Sequence, residues 1–237
     1  MERKKPVDLD SFVDGLKRFE TDVITKDRVT EYCSELRIKD AALSPYLHFR
    51  PDRYTRNLIY QDRLFEVMVI CWEPGQKTPV HSHNGQLGWM LVERGGIDVT
   101  NFRYLSCNTP ENQNVVGIDC LGGATAIDLE TIGHESVVEA GPVSTVDKIQ
   151  TIHRIEAPSG TKERAVTLHI YSTPFESCVA FDLEKGRCVR RNLFWDTRYG
   201  AAVADTPPAP LPGSGTPAGG TRPGPPPGSL PLVRTSD

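Results

Sequence analysis

An all-β fold, a barrel or double-sheet jelly roll preceded by short helices, is what this sequence predicts. Three observations carry that expectation. Between about residues 54 and 196 the chain is a series of short segments rich in apolar and β-branched residues. Turn signals built from glycine and proline separate them at regular intervals. Helical spacing of apolar residues is confined to the N-terminal stretch.

Taken in order, Leu9, Phe12, Val13, Leu16 and Phe19 recur at helical spacing, and Asp8 or Asp10 is placed to cap the first turn. A second helix is expected over 27–37, with Val29, Cys33 and Leu36 on one face. Two helices this short cannot enclose a core, so residues 1–53 are read as a helical segment packed on the barrel. The barrel itself is assigned to residues 54–200. Strands are expected at 65–72, 78–83, 86–93, 96–104, 124–130, 135–139, 165–172, 178–183 and 188–195, with Gly95-Gly96 as a hairpin turn and Gly75, Gly122-Gly123, Gly133, Gly141-Pro142 and Pro158-Ser159-Gly160 as further breaks. Residues 201–237 hold ten of the 19 prolines and six of the 20 glycines. Such a stretch buries too little apolar surface to offset its ordering entropy, and is read as a disordered Pro/Gly-rich tail.

The net charge of -4 gives no basic excess of the kind that nucleic-acid binding requires. No apolar run reaches the roughly 18 residues of a membrane helix. The start, Met1-Glu2-Arg3-Lys4-Lys5, is charged and no apolar signal segment follows it, so a cytoplasmic location is expected. The six cysteines show neither CxxC pairing nor zinc-ribbon spacing and are expected to be free thiols.

The chemistry-bearing residues fall on expected strands. On a strand, alternate residues share a face, so His81 and His83 can reach one metal ion and His153 can complete a three-histidine set. Each is as readily a hydrogen-bonded structural histidine when taken alone. His48 and His134 lack such company, and His134 follows Gly133 in an expected surface turn. A metal held by neutral imidazoles without a carboxylate keeps its positive charge and open coordination positions, as catalytic sites do. In Thr167-Leu168-His169-Ile170-Tyr171, Thr167, His169 and Tyr171 share one face and form a row of donors and acceptors beside the metal. That row either handles a substrate proton or merely fixes strand register. Arg56 has the fork geometry that suits a carboxylate, although composition alone favours a surface arginine.

Several motifs in order resemble the cysteine dioxygenases of the cupin superfamily: Tyr54-Thr55-Arg56-Asn57-Leu58, Cys71-Trp72-Glu73-Pro74-Gly75, His81-Ser82-His83, His153-Arg154 and Leu168-His169-Ile170-Tyr171-Ser172-Thr173-Pro174-Phe175. The resemblance covers about residues 8–196. It implies a cupin β-barrel (a double-stranded β-helix) with ferrous iron, Fe(2+), held by His81, His83 and His153. It implies that L-cysteine chelates through thiolate and amine, that Arg56 holds the carboxylate with Tyr54 lining the pocket, and that Thr167, His169 and Tyr171 contact substrate and O2. The product would be cysteine sulfinate, and the family tends to be monomeric.

Two departures accompany the resemblance. Leu87 and Gly88 stand where other cupins carry a glutamate, and Gly88 falls where animal cysteine dioxygenases carry a cysteine cross-linked to the active-site tyrosine. No Cys–Tyr cross-link is therefore expected at Tyr171. Thr173 occupies a place where animal members often have proline, so a cis Ser–Pro bond cannot form there and the loop shape is left open. The alternatives are a thiol dioxygenase preferring 3-mercaptopropionate or another thiol acid, in which glutamine typically replaces Arg56, and a non-catalytic metal-binding cupin.

Overall fold

A computed structural model describes residues 5–20, 23–83, 85–108, 126–148 and 151–203. The chain begins with β1 (Lys5–Val7), α1 (Leu9–Lys17), α2 (Lys26–Ser34), β2 (Leu36–Ile38), α3 (Asp40–Leu43) and a 3-10 turn at Ser44–Tyr46. It continues with β3 (Thr55–Gln61), β4 (Glu66–Trp72), β5 (Val80–Ser82), β6 (Leu87–Arg94), β7 (Gly96–Cys107) and β8 (Ile127–Val138). The remaining strands are β9 (Ser144–Val146), β10 (Ile152–Glu156), β11 (Ala165–Ser172), β12 (Ser177–Asp182), β13 (Arg187–Asn192), β14 (Thr197–Arg198) and β15 (Ala201–Ala202).

Two sheets face each other. One has the order β13-β12-β5-β10-β7-β8 and the other β15-β14-β3-β4-β11-β6-β9. Strand β11 lies between β4 and β6, and β5 between β12 and β10, so the chain winds back and forth between the sheets. This is the β-sandwich of a cupin, with short helices at its N-terminal end.

The helices form where capping and apolar spacing agree. Asp8 accepts from the Ser11 amide at 2.8 Å to start α1, and Thr25 accepts from the Arg28 amide at 3.3 Å to start α2. Leu9, Phe12, Val13 and Leu16 of α1 are buried, as are Val29 and Cys33 of α2. Gly15 permits their close approach, because a Cβ there would lie 1.9 Å from the Tyr32 hydroxyl oxygen, which itself donates to the Phe12 carbonyl at 2.7 Å. Trp89 Nε1 donates to the Lys26 carbonyl at 3.0 Å and so pins α2 to β6.

The helices cover the outer face of the seven-stranded sheet. Phe12, Leu16, Val29 and Cys33 pack there on Val67, Val69, Leu91, Leu168 and Ile170. The inner face carries Met68, Ile70, Trp72, Met90 and Val92, which meet Ile97, Val99, Val137 and Ile155 of the opposite sheet. Strands β4 and β11 are therefore buried along their whole length.

Several expectations need correction. The two strands expected at 124–130 and 135–139 are one strand, β8, whose described part runs through Gly133. The pairing with β7 shifts between Asn101 and Phe102, so Gly133 marks a bulge rather than a turn. His134 accordingly sits in a strand, with Nδ1 3.0 Å from the Thr100 hydroxyl. The second helix stops at Ser34 because Leu36–Ile38 pairs with β1 in parallel. Cysteines 33, 71, 107 and 178 are buried and form no disulfide, but Cys188 is disulfide-bonded, contrary to the expectation of six thiols. Cys120 lies outside the described residues. Ala201–Ala202, placed in the tail by composition, pairs with β14, while residues 204–237 lie outside the described residues. Among the described residues, no helix is long and apolar enough to cross a membrane.

Candidate metal centre and substrate pocket

The register of three short pairings assembles the histidines. Strand β5 is held between β10 and β12, and His81 lies directly opposite His153. His83 follows two positions after His81 and so points to the same side. Ring centroids are 4.9 Å apart for His81–His83, 4.9 Å for His81–His153 and 4.7 Å for His83–His153. One nitrogen from each ring lies within 4.8 Å of the others.

These nitrogens are prepared to bind a cation. His81 Nδ1 is 3.0 Å from the Pro79 carbonyl, which can only accept. Nδ1 therefore carries the hydrogen and Nε2 keeps its lone pair. His153 Nε2 is buried and has no hydrogen-bond partner. A buried polar atom without a partner is uncommon, and here it lies within reach of the other two rings, where it could serve as a ligand. Burial holds His81 down to about 4 and holds His83 and His153 well below the usual histidine range, so all are neutral at pH 7. The donor set fits a divalent transition metal with open positions.

The opposite sheet supplies a hydrogen-bonded row. Trp72 Nε1 donates to Thr167 Oγ1 at 2.9 Å, Thr167 Oγ1 lies 2.8 Å from His169 Nε2, and His169 Nδ1 lies 3.2 Å from the Tyr171 hydroxyl. Thr167 is wholly enclosed. The assignment that pairs the hydroxyl hydrogen of this residue has Thr167 donating to Nε2. Nδ1–H then donates to Tyr171, whose own hydroxyl hydrogen is left to face the pocket. Burial keeps His169 neutral, down to about 3, and raises the Tyr171 phenol above its usual value, so it stays protonated. Tyr171 stacks against His83 at 5.7 Å and meets Phe175 edge-on at 4.8 Å, which joins the row to the histidines.

Arg56 completes the enclosure from β3. Its guanidinium stacks on Trp195 at 4.9 Å, and its amide donates to Asp196 at 2.9 Å. Nε and Nη2 are buried without a hydrogen-bond partner. The Arg56 charge lowers the proton affinity of His81, His83, His169 and Tyr171 alike, as expected if all face one pocket. Tyr54 stacks on Trp72 at 4.8 Å, and burial pushes its phenol up.

Sequence reasoning missed Glu66. Its side chain is 1% exposed, and Oε1 lies 3.8 Å from Arg56 Nη2. Burial pushes its carboxyl up to about 7 against the opposing pull of Arg56. The available signal was a single carboxylate heading the apolar run Val67–Trp72, two positions from Met68 and so on the inner face. Trp72 and Trp195 were likewise unassigned.

Gly88 lies opposite Tyr171 in the β6–β11 pairing. A Cβ at Gly88 would fall 2.5 Å from Val146 Cγ2 and 2.9 Å from the Tyr171 ring. Val146 thus fills the space a residue-88 side chain would need. The Ser172–Thr173 peptide is cis although Thr173 is not proline.

The chain also matches a known protein family. The model for "Cysteine dioxygenase type I" matches residues 3–184. The chain belongs to that family. Cysteine dioxygenase type 1 of Danio rerio is 26% identical over 198 residues, covering 83% of this chain and 90% of the relative. The Homo sapiens protein of the same name is 27% identical over 156 residues, covering 65% of this chain and 68% of its own length. Among solved structures, the Schizosaccharomyces pombe Cnp3 cupin domain superposes with a TM-score of 0.37 at 14% identity, over 55% of this chain and 72% of that domain. Membership of the cysteine dioxygenase family and the three-histidine site make this chain an oxidoreductase of the dioxygenase type with a metal-binding centre.

Proposed function

We propose that the protein is an iron(II) thiol dioxygenase that converts L-cysteine and O2 to cysteine sulfinate. The observation that carries the reading is the pairing of the three-histidine cluster with Arg56, a buried guanidinium whose Nε and Nη2 have no hydrogen-bond partner. Leaving such donors unpaired is costly, so a pocket that retains them is built for an anion.

His81, His83 and His153 would hold ferrous iron, which when bound supplies the charge that deprotonates the thiol and the redox centre for dioxygen chemistry. Arg56, its plane set by the Trp195 ring, holds the substrate carboxylate. Tyr54 lines the same side. Tyr171, its oxygen engaged by His169, turns its hydroxyl hydrogen towards the substrate. Thr167 and Trp72 act through His169 by holding its tautomer. Holding thiol and carboxylate together aligns the sulfur for attack, and such positioning is a large part of the rate gain. Overall, RSH + O2 gives RSO2H, with both oxygen atoms on sulfur. The reacting unit is the barrel of residues 54–200 supported by 1–53, acting as a cytoplasmic monomer that takes small thiols rather than nucleic acid or membrane as its partner; residues 201–237 stand outside the reaction.

The test is O2 uptake by iron-loaded protein offered L-cysteine or 3-mercaptopropionate, with sulfinates quantified by mass spectrometry. Faster turnover of cysteine, with oxygen and sulfinate coupled one to one, is the expected result. Preference for 3-mercaptopropionate would move the substrate to another thiol acid. No uptake at full iron occupancy would leave a metal-binding cupin without this activity.

A further inference from the structure

A carboxylate enclosed beside the guanidinium that awaits another carboxylate calls for a physical reason. Glu66 heads β4, and its strand neighbours form a row across the inner face of the seven-stranded sheet. Gln61 pairs with Glu66, Glu66 with Tyr171, Tyr171 with Gly88, and Gly88 with Val146. The charged and titratable groups facing Glu66 are the Arg56 guanidinium from β3 and the Tyr171 phenol from β11. Gln61 Nε2 donates to Oε2 at 3.4 Å, while Oε1 has no hydrogen-bond partner. At 3.8 Å, Oε1 and Arg56 Nη2 are too far apart for a hydrogen bond and close enough for strong attraction across a poorly solvated gap. The pocket thus holds a positive group balanced by a negative one, with Arg56 Nε and Nη2 and Glu66 Oε1 all lacking hydrogen-bond partners.

We propose that Glu66 is the internal counter-ion of Arg56 and sets selectivity for thiols that carry a carboxylate: the substrate carboxylate takes over Arg56, and Glu66 takes up one proton from water as it does so. The assignment rests on the reading of Arg56 as the substrate's carboxylate partner. Two carboxylates beside one arginine in a buried pocket cannot both stay ionised without a large penalty, and the buried Glu66 is the one that yields. Its neutral form leaves the guanidinium to the ligand, whereas its ionised form competes. Binding of a thiol acid is therefore favoured below about pH 7 and weakens as the pH rises above it. The competent fraction divides the intrinsic dissociation constant, so at pH 8 the apparent value should be about tenfold higher than at pH 6 from this source alone. Cysteamine, which has the thiol and amine but no carboxylate, should not feel this effect.

The experiment is anaerobic calorimetry of thiol binding to the iron-loaded protein, in buffers of different ionisation enthalpy, for L-cysteine and cysteamine. At pH 8 the native protein should take up close to one proton more with L-cysteine than with cysteamine. Glu66→Gln should abolish that difference and tighten L-cysteine about tenfold at pH 8, with little change at pH 6. In turnover the same gain should read in KM for L-cysteine and not in KM for cysteamine. Equal proton uptake for the two thiols in the native protein would overturn the proposal without recourse to any variant. So would a Glu66→Gln protein that binds L-cysteine more weakly, which would make Glu66 a partner of the amine. The binding measurement needs no turnover, so absence of O2 uptake, which would defeat the dioxygenase reading, is a separate result.

Discussion

The six-stranded sheet carries the three histidines, and the seven-stranded sheet carries Arg56, Glu66, Thr167, His169 and Tyr171. The two are covered differently. Helices α1 and α2 lie on the outer face of the seven-stranded sheet, so β4 and β11 meet no water on either side. Among the described residues, no helix covers β8 and β13 of the six-stranded sheet, where exposed and partly exposed residues predominate. On these doubly covered strands Trp72, Thr167, His169 and Tyr171 join in a single chain of hydrogen bonds, and Glu66 Oε1 is left without a partner. The histidine cluster is instead left open at its centre, with His153 Nε2 unsatisfied by protein. The cluster thus keeps a ring nitrogen without a protein partner, whereas the row engages His169 on both ring nitrogens.

That division can be broken by substitution. His153→Ala should remove the metal and abolish turnover, as read by metal analysis and O2 uptake; full iron content in this variant would contradict the ligand assignment. Tyr171→Phe should leave iron content unchanged while turnover falls by about 10²-fold or more, since only the hydroxyl is removed. Loss of iron together with activity would show that the two sheets do not divide the work. Arg56→Gln should weaken L-cysteine by about 1.5–3 kcal/mol, or roughly 10- to 150-fold in KM, and affect 3-mercaptopropionate less. Equal losses on both thiols would take Arg56 out of the selectivity argument. The smallest effect concerns packing alone: Gly88→Ala should lower stability by about 1–3 kcal/mol through collision with Val146 and Tyr171, and adding Val146→Ala should restore most of it. A denaturation midpoint unchanged in the single variant would mean that the wall of the pocket gives way easily.

How much of this was legible in the sequence follows from the same contrast. The histidines were readable because i and i+2 on a strand share a face whatever the fold. The Thr167–His169–Tyr171 row was readable because its polar residues alternate with Val166, Leu168 and Ile170. Glu66 was not, because a strand buried on both faces has no exposed side against which a lone carboxylate stands out. Strand β3 escaped notice although its arginine did not, since its buried threonine and asparagine bond to their surroundings and read as polar. The join of β8 across Gly133 was invisible because a bulge glycine and a turn glycine look alike in sequence. The disulfide at Cys188 obeys no spacing that a single chain displays.

Val146, seated where a residue-88 side chain would otherwise press on Tyr171, has a consequence for the life history of the molecule. A ring confined by a hydrocarbon wedge is in its working position as soon as the chain has folded. No covalent bond at residue 88 has to ripen there. Freshly made and long-used molecules should then have the same mass at this position and the same specific activity, with no lag on first exposure to substrate.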